Sequence, residues 1–195
     1  KEIRLSQKGL ELGLIPASKK EPHGVLKGTA RSTELMFAFE PAGSGEGLRL
    51  AQAFAEPVVM TNPDWYCASA GFMNDPLLPE NDKTIGTYDK IVENFVEDLK
   101  EPLKPGFDDC GLMNYGDFLY GAYNRWVNLE YDSDLGLYVH FARAANRFAY
   151  LFGQDASRHF MDSDTGWYTG DYLTHGANFP HENVHYDPHG PSGHT

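Results

Sequence analysis

Residues 84–100 read TIGTYDKIVENFVEDLK. The apolar side chains Ile85, Tyr88, Ile91, Val92, Phe95, Val96 and Leu99 fall at i, i+3, i+6, i+7, i+10, i+11 and i+14, the spacing of one helical stripe. Glu93, Glu97 and Lys100 fall on the other face. Pro102 and Pro105 stop the run, because proline has no N–H with which to continue the ladder. A long amphipathic helix follows from this pattern, with the stripe expected to be buried. The switch from alternating to helical periodicity along the chain makes the expected fold mainly α.

The C-terminal neighbours repeat the signal. Asp132 or Ser133 can cap a helix running to about residue 146. Leu135, Leu137, Tyr138, Val139, Phe141 and Ala142 make it apolar nearly all round, so it is expected to be buried on more than one side. A second helix follows from about Arg147 to His159 or Phe160. The short joint implies an antiparallel hairpin. After Asp162 the chain turns Gly-, Tyr-, His- and Pro-rich and reads as a long loop, of a kind that is usually functional in compact domains.

Towards the N-terminus, residues 46–55 have helical spacing closed by Pro57. Residues 63–72, PDWYCASAGF, combine rings with small residues and read as a tight loop or a place of close backbone approach. Residues 2–15 alternate loosely and read as one or two strands, and residues 29–39, TARSTELMFAF, read as another. The part before residue 43 is therefore expected to be β and the part from about residue 61 to be helical.

The chain has 195 residues, 41% of them hydrophobic and 23% charged, which is one domain's worth of globular composition. A net charge of −12 argues against a nucleic-acid binder, which needs a basic face. No apolar run approaches a membrane span. From Gly106 onward twelve acids face only four arginines: Arg125, Arg143, Arg147 and Arg158. An anionic ligand there would need those arginines, protonated histidine or a bound cation. Cys67 and Cys110 lack CxxC spacing and read as buried thiols.

Three constellations carry chemistry. Residues 114–132, NYGDFLYGAYNRWVNLEYD, hold nine Tyr, Trp, Asn or Phe in nineteen positions, interleaved with Asp117, Glu130, Asp132 and Arg125. Polar-tipped rings mixed with amides and carboxylates suit a sugar, which offers an apolar face and a hydroxyl rim. In RHFMDSD, His159 and Asp162 are three apart and expected to share a helix face, with Asp164 beside them. A carboxylate there can orient the histidine or complete a cation site. The tail holds five histidines, His175, His181, His185, His189 and His194. Its His181-Glu182-Asn183-Val184-His185 run matches the zinc-protease pattern, but Pro180 and Pro188 deny it the helix that pattern requires.

The segments PDWYCASAGF, GLMNYGDF, RWVNLEYD, FARAANR, SRHFMDSD and GPSGHT occur in an order and spacing that resemble the exo-rhamnogalacturonan lyases, polysaccharide lyase family 26. The resemblance covers roughly residues 61–195. It implies that residues 1–45 are the C-terminal part of a β-sandwich-like domain. Residues 46–195 are then the N-terminal part of a truncated (α/α) toroid catalytic domain. The implied reaction is β-elimination at a uronic acid in rhamnogalacturonan-type pectic glycans, in an extracellular or periplasmic setting. The chain ends about where the next toroid helix would begin, so it is expected to show little activity alone.

Elimination needs the sugar carboxylate neutralised, a base for the adjacent carbon's proton, and an acid for the leaving oxygen. His185 or His194 is the expected base, with His159 a further catalytic candidate, and Tyr115 or Tyr131 is the expected acid. Arg125, Arg158, or a divalent cation such as calcium at Asp162 and Asp164, would hold the carboxylate. Asn128 and Glu130 would read hydroxyls, and Trp65 and Trp126 would stack on the sugar. His159, Asp162, His185 and His194 are expected to lie near residues 114–132, at one end of the helical layer. Two rival readings remain. One is a glycoside hydrolase using Glu130 with Asp162, and the other is a non-catalytic glycan- or metal-binding module.

Overall fold

A computed structural model describes residues 2–14, 30–57, 62–69, 77–101, 115–120, 125–127 and 132–165. The order is β1 (Glu2–Ser6), β2 (Gly9–Gly13), α1 (Glu46–Ala55), α2 (Pro63–Ala68), α3 (Tyr88–Lys100), β3 (Phe118–Tyr120), β4 (Arg125–Val127), α4 (Ser133–Ala144) and α5 (Arg147–His159). A π-helical turn, Phe160–Asp164, extends α5. The described chain is mainly α. Among the described residues no helix is long and apolar enough to cross a membrane.

The α4–α5 hairpin is the frame. Asn146 caps α5, its side chain accepting from Ala149 N at 3.1 Å and satisfying one of the orphan donors of the first turn. Near the far end, Ser157 Oγ donates to Asp134 Oδ2 at 2.7 Å and lies 3.3 Å from Tyr138 Oη. The start of α4 therefore lies beside the end of α5, as an antiparallel hairpin requires. Gly153 lets the two helices approach closely, since a Cβ there would meet the Tyr138 ring at 3.3 Å.

The joint itself is strained. Ala145 ends α4 in the left-handed region, at φ 52° and ψ 30°, with its N–H bonded to Phe141 O at 2.8 Å. That conformation costs a Cβ-bearing residue about 1–2 kcal/mol, and glycine adopts it freely but loses more chain entropy on folding. Ala145→Gly is therefore expected to raise the unfolding free energy by about 0.5–1 kcal/mol in urea denaturation. An unchanged or lower midpoint would show that the joint relaxes without glycine.

The core joins α3, β3 and the hairpin. Val96, Phe118, Leu137, Ala149 and Ala156 are buried together, with Val92, Leu99, Phe148 and Phe152 packed against them. The Phe118 ring meets Phe152 edge-on at 5.2 Å. The stripe on α3 is only partly covered: Val92, Val96 and Leu99 turn inward, while Tyr88, Ile91 and Phe95 stay exposed. A single hairpin covers only the inward edge of so wide a stripe. The other face of α4 carries a buried ion pair, Arg143 with Asp89 at 2.7 Å. Arg143 also donates to the carbonyls of Leu78 and Pro79, and Asp89 accepts from Asn81 N, so the turns before α3 are locked onto α4. Asp89 Oδ1 has the Arg143 guanidinium as its ion-pair partner, and the further bonds of Arg143 and of Asp89 Oδ2 offset part of the cost of burying the two charges.

Three local expectations change. Residues 63–68 form a helix, α2, rather than a loop, because Asn62 caps it through Asp64 N and Pro63 occupies its first turn. The helix over residues 84–100 begins only at Tyr88, after turns that include Gly86 at φ 59°. Residues 30–40 form no strand, despite their β-branched and aromatic content. Their backbone is drawn off by the end of α5, described below. The β1–β2 hairpin pairs Ile3 with Leu12 and Leu5 with Leu10, in keeping with the alternation of residues 2–15. Cys67 is a buried free thiol, as expected, and burial pushes its pKa up. Cys110 lies outside the described residues.

Candidate functional site

The π-helical turn shapes the site. Its i→i+5 bonding, with Thr165 N donating to Phe160 O at 3.0 Å, brings residues five apart onto one face. Asp164 therefore comes over His159, its Oδ1 lying 3.4 Å from Nε2. The i, i+3 partnership expected of Asp162 does not form. Asp162 turns the other way, and both of its oxygens are engaged by Ser32: Oδ2 by the backbone N–H at 2.5 Å and Oδ1 by the hydroxyl at 2.8 Å.

His159 is 1% exposed and held from three sides. Its Nδ1 lies 2.9 Å from the Tyr115 carbonyl oxygen, which can only accept, so Nδ1 carries a hydrogen. Its Nε2 faces Asp164 and, at 3.6 Å, Asp117 Oδ2. Burial alone would lower the imidazole's pKa. The hydrogen bond and charge of Asp164, the charge of Asp117 and the Tyr115 carbonyl outweigh it, and the net shift is upward. The charged imidazolium is thus the form this nest favours. Asp117 Oδ1 also accepts from Phe118 N at 2.7 Å, which fixes the entry to β3.

Tyr115 is the link from this buried nest to the surface. Gly116 follows it at φ 77°, in a conformation glycine takes without strain. A Cβ at Gly116 would overlap the Asp155 carbonyl oxygen and lie 3.1 Å from Ala156 N. This close approach seats the Tyr115 backbone on α5. The phenol donates a short hydrogen bond to Asp155 Oδ1. Burial, followed by the bond to Asp155 and its charge, pushes the phenol's pKa up to about 12, so it is protonated at neutral pH.

The outer face of Tyr115 lines a cleft of about 270 Å³. Arg31, Ser32, Thr33 and Glu34 form one wall, Phe54 and Ala55 from α1 another, and Tyr115 with Arg158 the floor. The Arg31 guanidinium lies over the Tyr115 ring, 4.8 Å from its centroid. Arg158 is paired with Glu34 at 2.6 Å.

Of the residues expected from sequence to form the site, Tyr115 and Arg158 share this cleft, and His159, Asp162 and Asp164 lie directly behind it. Trp65 does not join them. It stands on α2, 64% exposed, with the Tyr66 ring 5.5 Å away. Arg125 and Trp126 are placed only as positions on β4. Tyr131, Asn128, Glu130, His185 and His194 lie outside the described residues, as does the rest of the histidine-rich tail. Among the described residues no group of three or more His, Cys, Asp or Glu is arranged to hold a metal ion. A cation at Asp162 and Asp164 would need ligands from elsewhere, because calcium takes six to eight oxygens. Arg31, Ser32, Glu34, Phe54 and Asp155 were not legible as site residues. The one hint was that Arg31-Ser32-Thr33-Glu34 interrupts the apolar alternation of residues 29–39.

Comparison with protein-family models, curated proteins and solved structures gives no match for this chain.

Proposed function

We propose that the cleft belongs to a polysaccharide lyase acting by β-elimination at a uronic acid, in a rhamnogalacturonan-type glycan. The observation that carries this reading is the meeting of Arg31, Arg158 and a protonated Tyr115 in one cleft. Guanidinium groups suit the uronate carboxylate, and they stabilise the enolate-like charge that develops when the neighbouring carbon loses its proton. The electron pair of that C–H bond becomes the new C=C bond as the C–O bond to the leaving sugar breaks. A phenol with a pKa near 12 is unsuited to act as a base at neutral pH but holds a proton for the leaving oxygen. Its hydroxyl must then turn from Asp155 to the substrate. The base is sought in the tail, where His185 and His194 are the candidates. His159 and its two carboxylates act by position, holding the Tyr115 backbone in place.

A hydrolase fits less well. It needs two carboxylates flanking the bond. Glu34 is the sole carboxylate among the residues lining the cleft and is paired with Arg158, while Asp162 is turned to Ser32. The decisive assay gives the intact protein a panel of uronate-containing polysaccharides and follows near-ultraviolet absorbance. An unsaturated uronate absorbs there and a hydrolysis product does not. Tyr115→Phe is expected to lower kcat about 100-fold or more with KM changed only a few-fold. New reducing ends without absorbance, or wild-type turnover in Tyr115→Phe, would overturn the assignment.

A further inference from the structure

We propose that Arg31 is the residue that reads the substrate carboxylate, and that Asp162 is the positioning residue that holds it in the cleft through Ser32. This rests on the anionic-sugar reading above. Two arginines line the cleft, but they are not equivalent. Arg158 is neutralised by Glu34 at 2.6 Å. Among the described residues, the contact made by the Arg31 guanidinium is the face of the Tyr115 ring. A guanidinium lying on a ring keeps its N–H donors at its edge, where a planar carboxylate can accept two of them. In a chain of net charge −12, such a cation is a local exception.

The strap that carries Arg31 has no regular structure of its own. It is fixed on either side of Arg31 by one residue. Ala30 N donates to the Asp162 carbonyl oxygen at 2.7 Å, and Ser32 donates twice to the Asp162 carboxylate, at 2.5 and 2.8 Å. Asp162 is 3% exposed and set in the π-helical turn. The carboxylate therefore works as a clamp. Its two bonds to Ser32, with the Ala30 bond to the main-chain carbonyl of the same residue, bracket Arg31 and limit where the guanidinium can go, which is the condition for a specific rather than a diffuse charge contact.

The test uses the intact protein and two probes. One is a rhamnogalacturonan oligosaccharide, and the other is the same oligosaccharide with its carboxyl groups reduced to alcohols. Calorimetric titration is expected to show the acidic probe bound about 10-fold or more tightly, as charge-assisted bidentate bonds allow. Arg31→Ala should abolish that preference, and Arg31→Lys should keep only part of it, since a point charge lacks the fork. Ser32→Ala and Asp162→Asn should each weaken the acidic probe several-fold without altering the neutral one. Combined, they should do no more than Asp162→Asn alone, because the bond that Ser32→Ala removes ends on the same carboxylate. Equal binding of both probes, no binding of either, or a preference that survives Arg31→Ala would overturn the role of Arg31. Affinity that requires calcium and is lost on chelation would overturn the clamp. The inference and the lyase reading fail separately. A carboxylate preference dependent on Arg31 without unsaturated product removes the elimination and keeps the site. Unsaturated product with no such preference does the reverse.

Discussion

Replacing His159 with leucine is expected to lower the unfolding free energy by about 3–5 kcal/mol, because it leaves Asp117 and Asp164 buried without their cation. For a protein of this size that corresponds to a fall in Tm of roughly 6–20 °C. The effect should depend on pH in a defined direction. The folded-state pKa of His159 is raised above its ordinary value of 6.5. Its stabilisation is therefore fully present below that value and is lost as pH rises through the raised folded-state pKa. Denaturant unfolding of wild type and His159→Leu, measured from mildly acidic to alkaline pH, should give curves that differ most on the acidic side and converge as pH rises. A difference that stays constant with pH would show that the imidazole is neutral in the fold and serves only as a packed ring.

Gly116→Ala is expected to be nearly as damaging, at about 2–5 kcal/mol. The left-handed backbone contributes about 1–2 kcal/mol, and the collision with the α5 backbone about 1–3 kcal/mol. The second part is the informative one. The atoms that a Cβ would strike belong to the Asp155 and Ala156 backbone, which cannot rotate away as a side chain could. Relief requires β3 to lift off α5, and that motion carries Tyr115 with it. The variant should therefore lose the Tyr115–Asp155 hydrogen bond and the cleft floor along with stability. A second variant, Gly153→Ala, separates the two effects. It also sits at a tight helix contact, but its neighbours at 3.3–3.4 Å are side-chain atoms of Tyr138 and Leu137. It should cost less and leave the cleft intact. Equal losses in both variants would mean that Gly116 matters for general packing and not for seating Tyr115.

What was legible in the sequence follows from where the local code dominates. The helices α1 and α5 lie where periodicity and, for α1, the stop at Pro57 place them, since helix signals are local. Residues 30–40 form no strand because strand propensity reports only fitness for a pleated surface, and among the described residues no partner strand meets them. The backbone donors of Ala30 and Ser32 go instead to Asp162, a partner that no local rule can identify. The cleft was half legible. Tyr115 and Arg158 stood out as chemistry-bearing side chains in a ring-rich or helix-end setting. Arg31 did not, because an isolated arginine in an apparent strand gives no signal until the fold brings it to Tyr115. The π-helical turn was also invisible. It exchanged the expected partner of His159, giving it Asp164 and releasing Asp162 to the strap, and nothing in FMDSD distinguishes a wide turn from an ordinary helix end.

The bond between Ser32 and Asp162 joins positions 130 residues apart. Closing so long a loop carries an entropy cost that must be met before the contact stabilises anything. The α4–α5 hairpin, with partners such as Ser157 and Asp134 only 23 residues apart, faces a far smaller barrier. During refolding the helical frame should therefore assemble first, with Tyr115 and His159 seated on it, while the strap is still searching. The cleft comes into being when the two distant ends of the described chain meet. Synthesis from the N-terminus delays that meeting further, because Arg31 leaves the ribosome well before the residue that clamps it exists.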